Sequence, residues 1–286
     1  MIRNDRRVMR PVYILLLISI TMAALKLWAG YLQSSSALRS VGVNNTADIF
    51  YGFALLAGLW MSIQPADSTH PEGHRRFDSL VGTVVGAAVI FSGLYVLFDA
   101  SWTYYHGQEV VFNYLGLTIL TGSMAIKAVF SWYCKRESEK LGSPALMAVS
   151  RDQFSDILND LTVFAALIGV AVGWPILDVL VAVVIGVFIL KIGIETISEN
   201  IKYLTGWTAP EELIEKVRQI AEEDCGFEGP FEIKAHHVGP SIHISLIVRA
   251  SEARTLGDVH SAEENLLREI SELEKVARVY IHVEQV

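Results

Sequence analysis

The chain has 286 residues, 52% of them hydrophobic, and 23 Lys+Arg against 31 Asp+Glu give a formal net charge of −8. Its mean hydropathy of +0.38 is high for a soluble domain, so the first reading is a protein that crosses a bilayer several times. The acidic balance excludes a nucleic-acid binder, which needs a basic face, and two distant cysteines without a CxxC exclude a disulfide framework or a zinc finger.

Met1 to Arg10 is basic, and the first apolar segment, Pro11–Tyr31, is too long and too poor in small residues at its end for a cleaved signal peptide. Further segments run Leu38–Ile63, Ser79–Tyr104, Asn113–Cys134, Pro144–Val172 and Ile176–Ile197. Each is near or above the ~20 residues that a spanning helix needs. The basic N-terminus, the loop with Arg75 and Arg76, the loop with Lys135, Arg136 and Lys140, and the tail alternate with connections that carry no Lys or Arg. The positive-inside rule then predicts six crossings with both termini cytoplasmic. A boundary is expected near residue 206: residues 1–206 form a six-helix, all-α transmembrane bundle and residues 207–286 a soluble domain. From Ala209 onward, 16 Asp+Glu face 8 Lys+Arg.

The tail reads as a small α+β unit. Thr208-Ala-Pro-Glu211 has the form of a capping box, so a helix is predicted from there to about Cys225. Phe231–Val238 and Ile242–Ala250 read as strands joined by the Gly239-Pro240 turn. Thr255-Leu-Gly-Asp258 opens a second helix to about Leu273, and Val276–Val283 is a last strand. The order αββαβ predicts a sheet with helices on one face.

Three constellations stand out. Asn44 and Asp48 in the second segment, and Asp152 and Asp156 in the fifth, are two pairs at a spacing of four, so each pair shares one helix face. Carboxylates at membrane depth cost ~2.5–3.5 kcal/mol each on insertion scales and need a purpose. Four oxygen donors on two helices suit a hard divalent cation such as Mn²⁺, Mg²⁺ or Ca²⁺. Asp48, Asp152 and Asp156 would take up protons on losing it, which is a natural means of proton coupling. Asp67, His70 and His74 in the loop DSTHPEGH form a second candidate metal site. The tail holds five of the eight histidines, His236, His237, His243, His260 and His282, and Glu284 lies on the same strand side as His282. These residues are candidates for a regulatory metal in the cytosol. Lys26, Lys127, Asp99 and Asp178 are charged residues in apolar runs, for which the sequence assigns no role.

Six crossings, the NxxxD of Asn44/Asp48, the loop HPEGHRRFD, the DxxxD of Asp152/Asp156, Asp178, and a tail with VGP and IHVEQ occur in this order. Together they resemble the cation diffusion facilitators over nearly the whole chain. The resemblance implies export of a divalent metal in exchange for protons and no enzymatic activity. It also implies a homodimer paired through a metallochaperone-like αββαβ tail. It puts the transport site on Asn44, Asp48, Asp152 and Asp156, a loop site on Asp67, His70 and His74, and tail ligands best on His260 and His282, with His236 and His237 beside another such position. Zinc-transporting members usually carry His or Asp where Asn44 stands and often His where Asp152 stands. The Asn/Asp/Asp/Asp set is similar to that of manganese-transporting members. Mn²⁺ is therefore the expected substrate, with Zn²⁺, Fe²⁺, Co²⁺ and Cd²⁺ open, in a prokaryotic plasma membrane. Two rival readings are an intramembrane hydrolase with an aspartate dyad, which leaves Asn44 idle, and a membrane-anchored metal sensor, which leaves the buried acids idle.

Overall fold

The computed structural model of the protein describes residues 6–32, 36–106, 114–171, 176–224, 227–250 and 255–285. Over 36–47, 166–171 and 176–179 the description is of the backbone alone. The chain divides into two compact units near residue 200.

The first unit is built of long helices: α1 (Met9–Leu32), α2 (Ser36–Ser62), α3 (Arg76–His106), α4 (Tyr114–Leu141), α5 (Pro144–Ala171) and α6 (Ile176–Thr205). Among the described residues, four stretches are long and apolar enough to cross a membrane: Met9–Ala29, Arg76–Trp102, Leu117–Leu141 and Leu180–Thr205. On apolarity, then, four of the six expected crossings are met. The other two helices have 27 and 28 residues, about 40 Å of helix, which is long enough to span. Among the described residues, α2 shows a shorter apolar stretch, Tyr51–Ser62. Large side chains such as Phe91 and Val184, 72% and 70% exposed, face outward, which suits lipid and not water.

Neighbouring helices are joined by apolar and polar contacts. Val12, Leu15, Leu55, Leu59, Phe130 and Leu146 lie in one buried cluster that ties α1, α2, α4 and α5. Between α4 and α5 each of Ser131 and Ser150 donates from its hydroxyl to the other's carbonyl, both at 2.8 Å. Between α3 and α6 the backbones themselves come close: a Cβ on Gly193 would lie 2.9 Å from the Ile90 nitrogen. This is the small-residue packing that helices use in lipid, where apolar burial gives no drive to associate.

The start of α5 is held from another helix. Pro144 occupies its first turn, and Ser143 donates from its hydroxyl to Asp78 Oδ1 at 2.9 Å. The same Oδ1 accepts from the Ala145 amide at 2.7 Å, so a carboxylate on the first turn of α3 caps α5.

The second unit contains α7 (Glu211–Gln219), continued by a π-helical turn (Ile220–Asp224), then β1 (Glu228–Val238), β2 (Ser241–Ala250), α8 (Leu256–Ser271) and β3 (Val276–Gln285). The sheet order is β1-β2-β3, with β1 antiparallel and β3 parallel to β2. Ile242, Ile244, Leu246 and Val248 point to one face and are buried together with Val217, Ala221, Leu266 and Ile270, so both helices build the core on that face. Gly239 turns the β1–β2 hairpin at φ 62°, a conformation that suits glycine.

Two sequence expectations are corrected in detail. The capping box at Thr208 does not form: the N-cap of α7 is Pro210, without a side-chain cap. Thr208 lies outside the helix, bridged antiparallel to His236, while Ala209 donates to the Ala235 carbonyl at 2.9 Å. The box at Thr255 and Asp258 does form, with Asp258 N donating to Thr255 Oγ1 at 3.2 Å. Strand β1 starts at Glu228, ahead of the expected Phe231, with an irregularity in register between Glu228 and Glu232. Pro230 cannot donate to the ladder, which accounts for the break and for the later start that the sequence suggested.

Candidate metal centre

Helix α5 presents Asp152, Asp156 and Asp160 at successive turns of one face. Asp156 and Asp160 are buried, at 8% and 3% exposure. Asp48 on α2 and Asp156 both lie within electrostatic reach of Asp152. Asn44 is one turn before Asp48 on α2, and its side chain lies outside the described residues, as do those of Asp99 and Asp178. The structure thus brings three of the four expected transport-site residues into one neighbourhood. Among the described residues they form no tight group of three ligand atoms, and Asp156 is engaged by other side chains.

Lys127 Nζ on α4 donates to Asp156 Oδ2 at 3.0 Å and lies 3.6 Å from Asp160 Oδ2. Lys26 Nζ on α1 lies 3.4 Å from Asp160 Oδ1. The Ser123 hydroxyl, one turn before Lys127, donates to Asp160 Oδ2 at 3.0 Å. Both lysines are buried, Lys26 completely. Asp160 therefore serves two ammonium groups and a hydroxyl, and Asp156 serves Lys127. Arg151, next to Asp152 in sequence, faces elsewhere and pairs with Glu199 at 2.7 Å.

Sequence reasoning missed these partnerships. It noted Lys26 and Lys127 as unassigned, yet a cation buried in a spanning helix demands an anion, and Asp160, one turn beyond Asp156, was one of the acids available. It also passed over Tyr51, one turn beyond Asp48 on the same face. The Tyr51 hydroxyl is buried without a hydrogen-bond partner among the described residues and within electrostatic reach of Asp152, Asp48 and Asp156.

The loop between α2 and α3 gathers the second constellation. Ligand atoms of Asp67, His70 and His74 all lie within 4.8 Å of one another, the one such group of three among the described residues. Asp67 Oδ1 accepts from the Thr69 hydroxyl at 2.7 Å and from the Thr69 and His70 amides at 2.8 and 2.7 Å. These bonds, the hydroxyl's first, hold its carboxyl down at about 2. His74 Nδ1 is 3.0 Å from the Pro65 carbonyl, which can only accept, so Nδ1 carries the proton. That leaves Nε2, 3.5 Å from Asp67 Oδ2, as the ligand atom.

Among the described residues the tail candidates form no group of three ligands within one protomer. His236 and His243 face each other across β1 and β2, ring centroids 6.2 Å apart, on the sheet face away from the helices. His237 packs edge-on against Tyr203 at 4.9 Å, and burial, with Lys275 and His236 nearby, pushes its imidazole below the usual range. His260 is exposed on α8 beside Glu264 at 3.5 Å. His282 and Glu284 share one side of β3, and Glu284 pairs with Arg249 at 3.4 Å.

Comparison with known proteins agrees with this anatomy. Residues 12–205 match the cation efflux transmembrane domain and residues 209–286 the cation efflux protein cytoplasmic domain. An uncharacterised transporter of Methanocaldococcus jannaschii is 27% identical over 279 residues, covering 98% of this chain and 99% of its own. The manganese efflux system protein MneS of Bacillus subtilis is 27% identical over 266 residues, 93% of this chain and 91% of its own. Metal tolerance protein C1 of Arabidopsis thaliana is 24% identical over 281 residues, 93% of this chain and 60% of its own. With two matched domains that span almost all of it, the chain belongs to the cation diffusion facilitator family of integral-membrane divalent metal exporters.

Proposed function

We propose that the protein exports Mn²⁺ from the cytosol in exchange for protons, through a site made of Asn44, Asp48, Asp152 and Asp156. The observation that carries this is the proximity of Asp48 and Asp156 to Asp152, acidic side chains of two long helices. The set is all oxygen, which suits a hard divalent ion better than a site with imidazole or thiolate would. A relative named for manganese efflux supports the same choice. Rocking of helix pairs would expose the site to each side in turn, and protons arriving from outside would replace the metal on the carboxylates. The protein works as a homodimer in a prokaryotic plasma membrane with both termini in the cytoplasm, and the tail carries a regulatory metal among His236, His237, His260, His282 and Glu284.

A second metal, Zn²⁺ or Fe²⁺, is favoured by one specific observation. The loop trio Asp67, His70 and His74 offers imidazole nitrogen beside carboxylate, a set that borderline ions prefer. The loop is then an entry or regulatory site on the way to the bundle. Uptake of Mn²⁺ into proteoliposomes loaded with a metal-sensitive dye tests the reading. Asp48→Ala and Asp152→Asn should each abolish uptake while the protein stays monodisperse in detergent. Parent-like uptake by either variant would remove that residue from the site.

A further inference from the structure

We infer that Lys127 is a tethered counter-cation that holds Asp156 until metal takes its place, and that Asp160 is the acceptor that receives it. The inference deepens the transport reading above and rests on it. Its ground is geometric. Lys127 stands between two carboxylates, 3.0 Å from Asp156 and 3.6 Å from Asp160, so a small shift of one flexible side chain transfers it from the first to the second. Asp160 is built to receive it, buried and fixed by Ser123 at 3.0 Å and Lys26 at 3.4 Å.

Arg151, the charged neighbour beside Asp152, is taken up by Glu199 and stands outside this arrangement. Lys127 is thus a positioning residue: it competes with metal for Asp156, and it eases release by returning to it. Nothing in this role needs Lys127 to lose its proton.

The test is the Mn²⁺ dependence of initial transport rates in proteoliposomes, for the parent, Lys127→Met, Asp160→Asn and the double variant Lys127→Met/Asp160→Asn. Removing the competitor should lower KM at least about tenfold and lower kcat with it, because metal is held more tightly in every state. Asp160→Asn denies Lys127 its second acceptor and should raise KM by a similar factor. In the double variant Lys127 is gone, so the loss of its second acceptor has nothing to act through, and KM should stay within about threefold of that of Lys127→Met. Equal KM values in all four proteins, or a raised KM in Lys127→Met, overturns the proposal. If Lys127→Met does not fold, Asp160→Asn and the double variant carry the same test, and an unchanged KM in Asp160→Asn is decisive against it. A parent protein that moves no divalent metal would sink the transport reading as well, whereas a transporting parent with unmoved variants sinks only the role of Lys127.

Discussion

Replacing Asp78 by Ala should loosen the helix that carries the metal centre without touching a metal ligand. Asp78 Oδ1 accepts from Ser143 Oγ at 2.9 Å and from the Ala145 amide at 2.7 Å, both at the start of α5. Each hydrogen bond to a charged acceptor contributes about 1.5–3 kcal/mol. Ser143 keeps part of the cap by itself, since its Oγ also accepts from the Leu146 amide at 3.3 Å. The low end of the range, about 3 kcal/mol for the two bonds, is therefore expected. For a unit of this size that is a fall in Tm of about 6–12 °C. Asp78→Asn keeps an acceptor oxygen and loses the charge facing the helix N-terminus, so it should fall by a smaller amount. Thermal scans of the purified protein in detergent, followed by tryptophan fluorescence, read both shifts. A Tm for Asp78→Ala within about 2 °C of the parent would refute the view that α3 holds α5 through this carboxylate.

Gly193→Val should destabilise the bundle by about 1–3 kcal/mol, because the new Cβ meets the Ile90 side chain at 2.6 Å and also backbone that cannot move aside, 2.9 Å from the Ile90 nitrogen; the same scan should show a lower Tm, and an unchanged one would contradict the close α3–α6 packing. Asp67→Ala should cost the purified protein one bound Cd²⁺ per protomer in equilibrium dialysis while Asp48→Ala leaves that ion in place. Equal Cd²⁺ binding by Asp67→Ala and the parent would remove the loop site. The depressed imidazole of His237 predicts a pH effect in the tail. The unfolded chain takes up a proton near the ordinary histidine value of about 6.5 and the folded one only below it, so stability is full above that value and declines as pH falls through it. Hydrogen exchange of β1 amides should show weaker protection at pH 5.5 than at pH 7.5, and His237→Phe should flatten that slope; an equal slope in the variant would assign it elsewhere.

The bundle, the αββαβ order and the two acidic pairs were legible in the sequence because they are local patterns: long apolar runs, capping signals and a spacing of four. What stayed hidden depends on side chains far apart in the chain. Lys26 and Asp160 are 134 positions apart, and Ser123 and Asp160 are 37 apart. No periodicity announces such a pair, although the cost of burying an unpaired ammonium said that one had to exist. Asp78 is similar: in sequence it begins α3, and only the fold reveals that its carboxylate caps α5. The false capping box at Thr208 failed for the opposite reason, since a local signal was overridden when β1 claimed that stretch as a bridge partner. The tail histidines were legible as a composition but not as a site, because alternation along β1 sends His236 and His237 to opposite faces.

The most direct test of the central claim is metal-driven proton flux in proteoliposomes, with Mn²⁺ and Zn²⁺ side by side in the parent and in Asn44→His. A proton current opposite to Mn²⁺ uptake, abolished by Asp48→Ala and shifted toward Zn²⁺ by Asn44→His, is the result expected of a hard-ligand antiporter. Mn²⁺ uptake with no proton movement would contradict the coupling, and flux with Zn²⁺ alone in the parent would contradict the choice of metal.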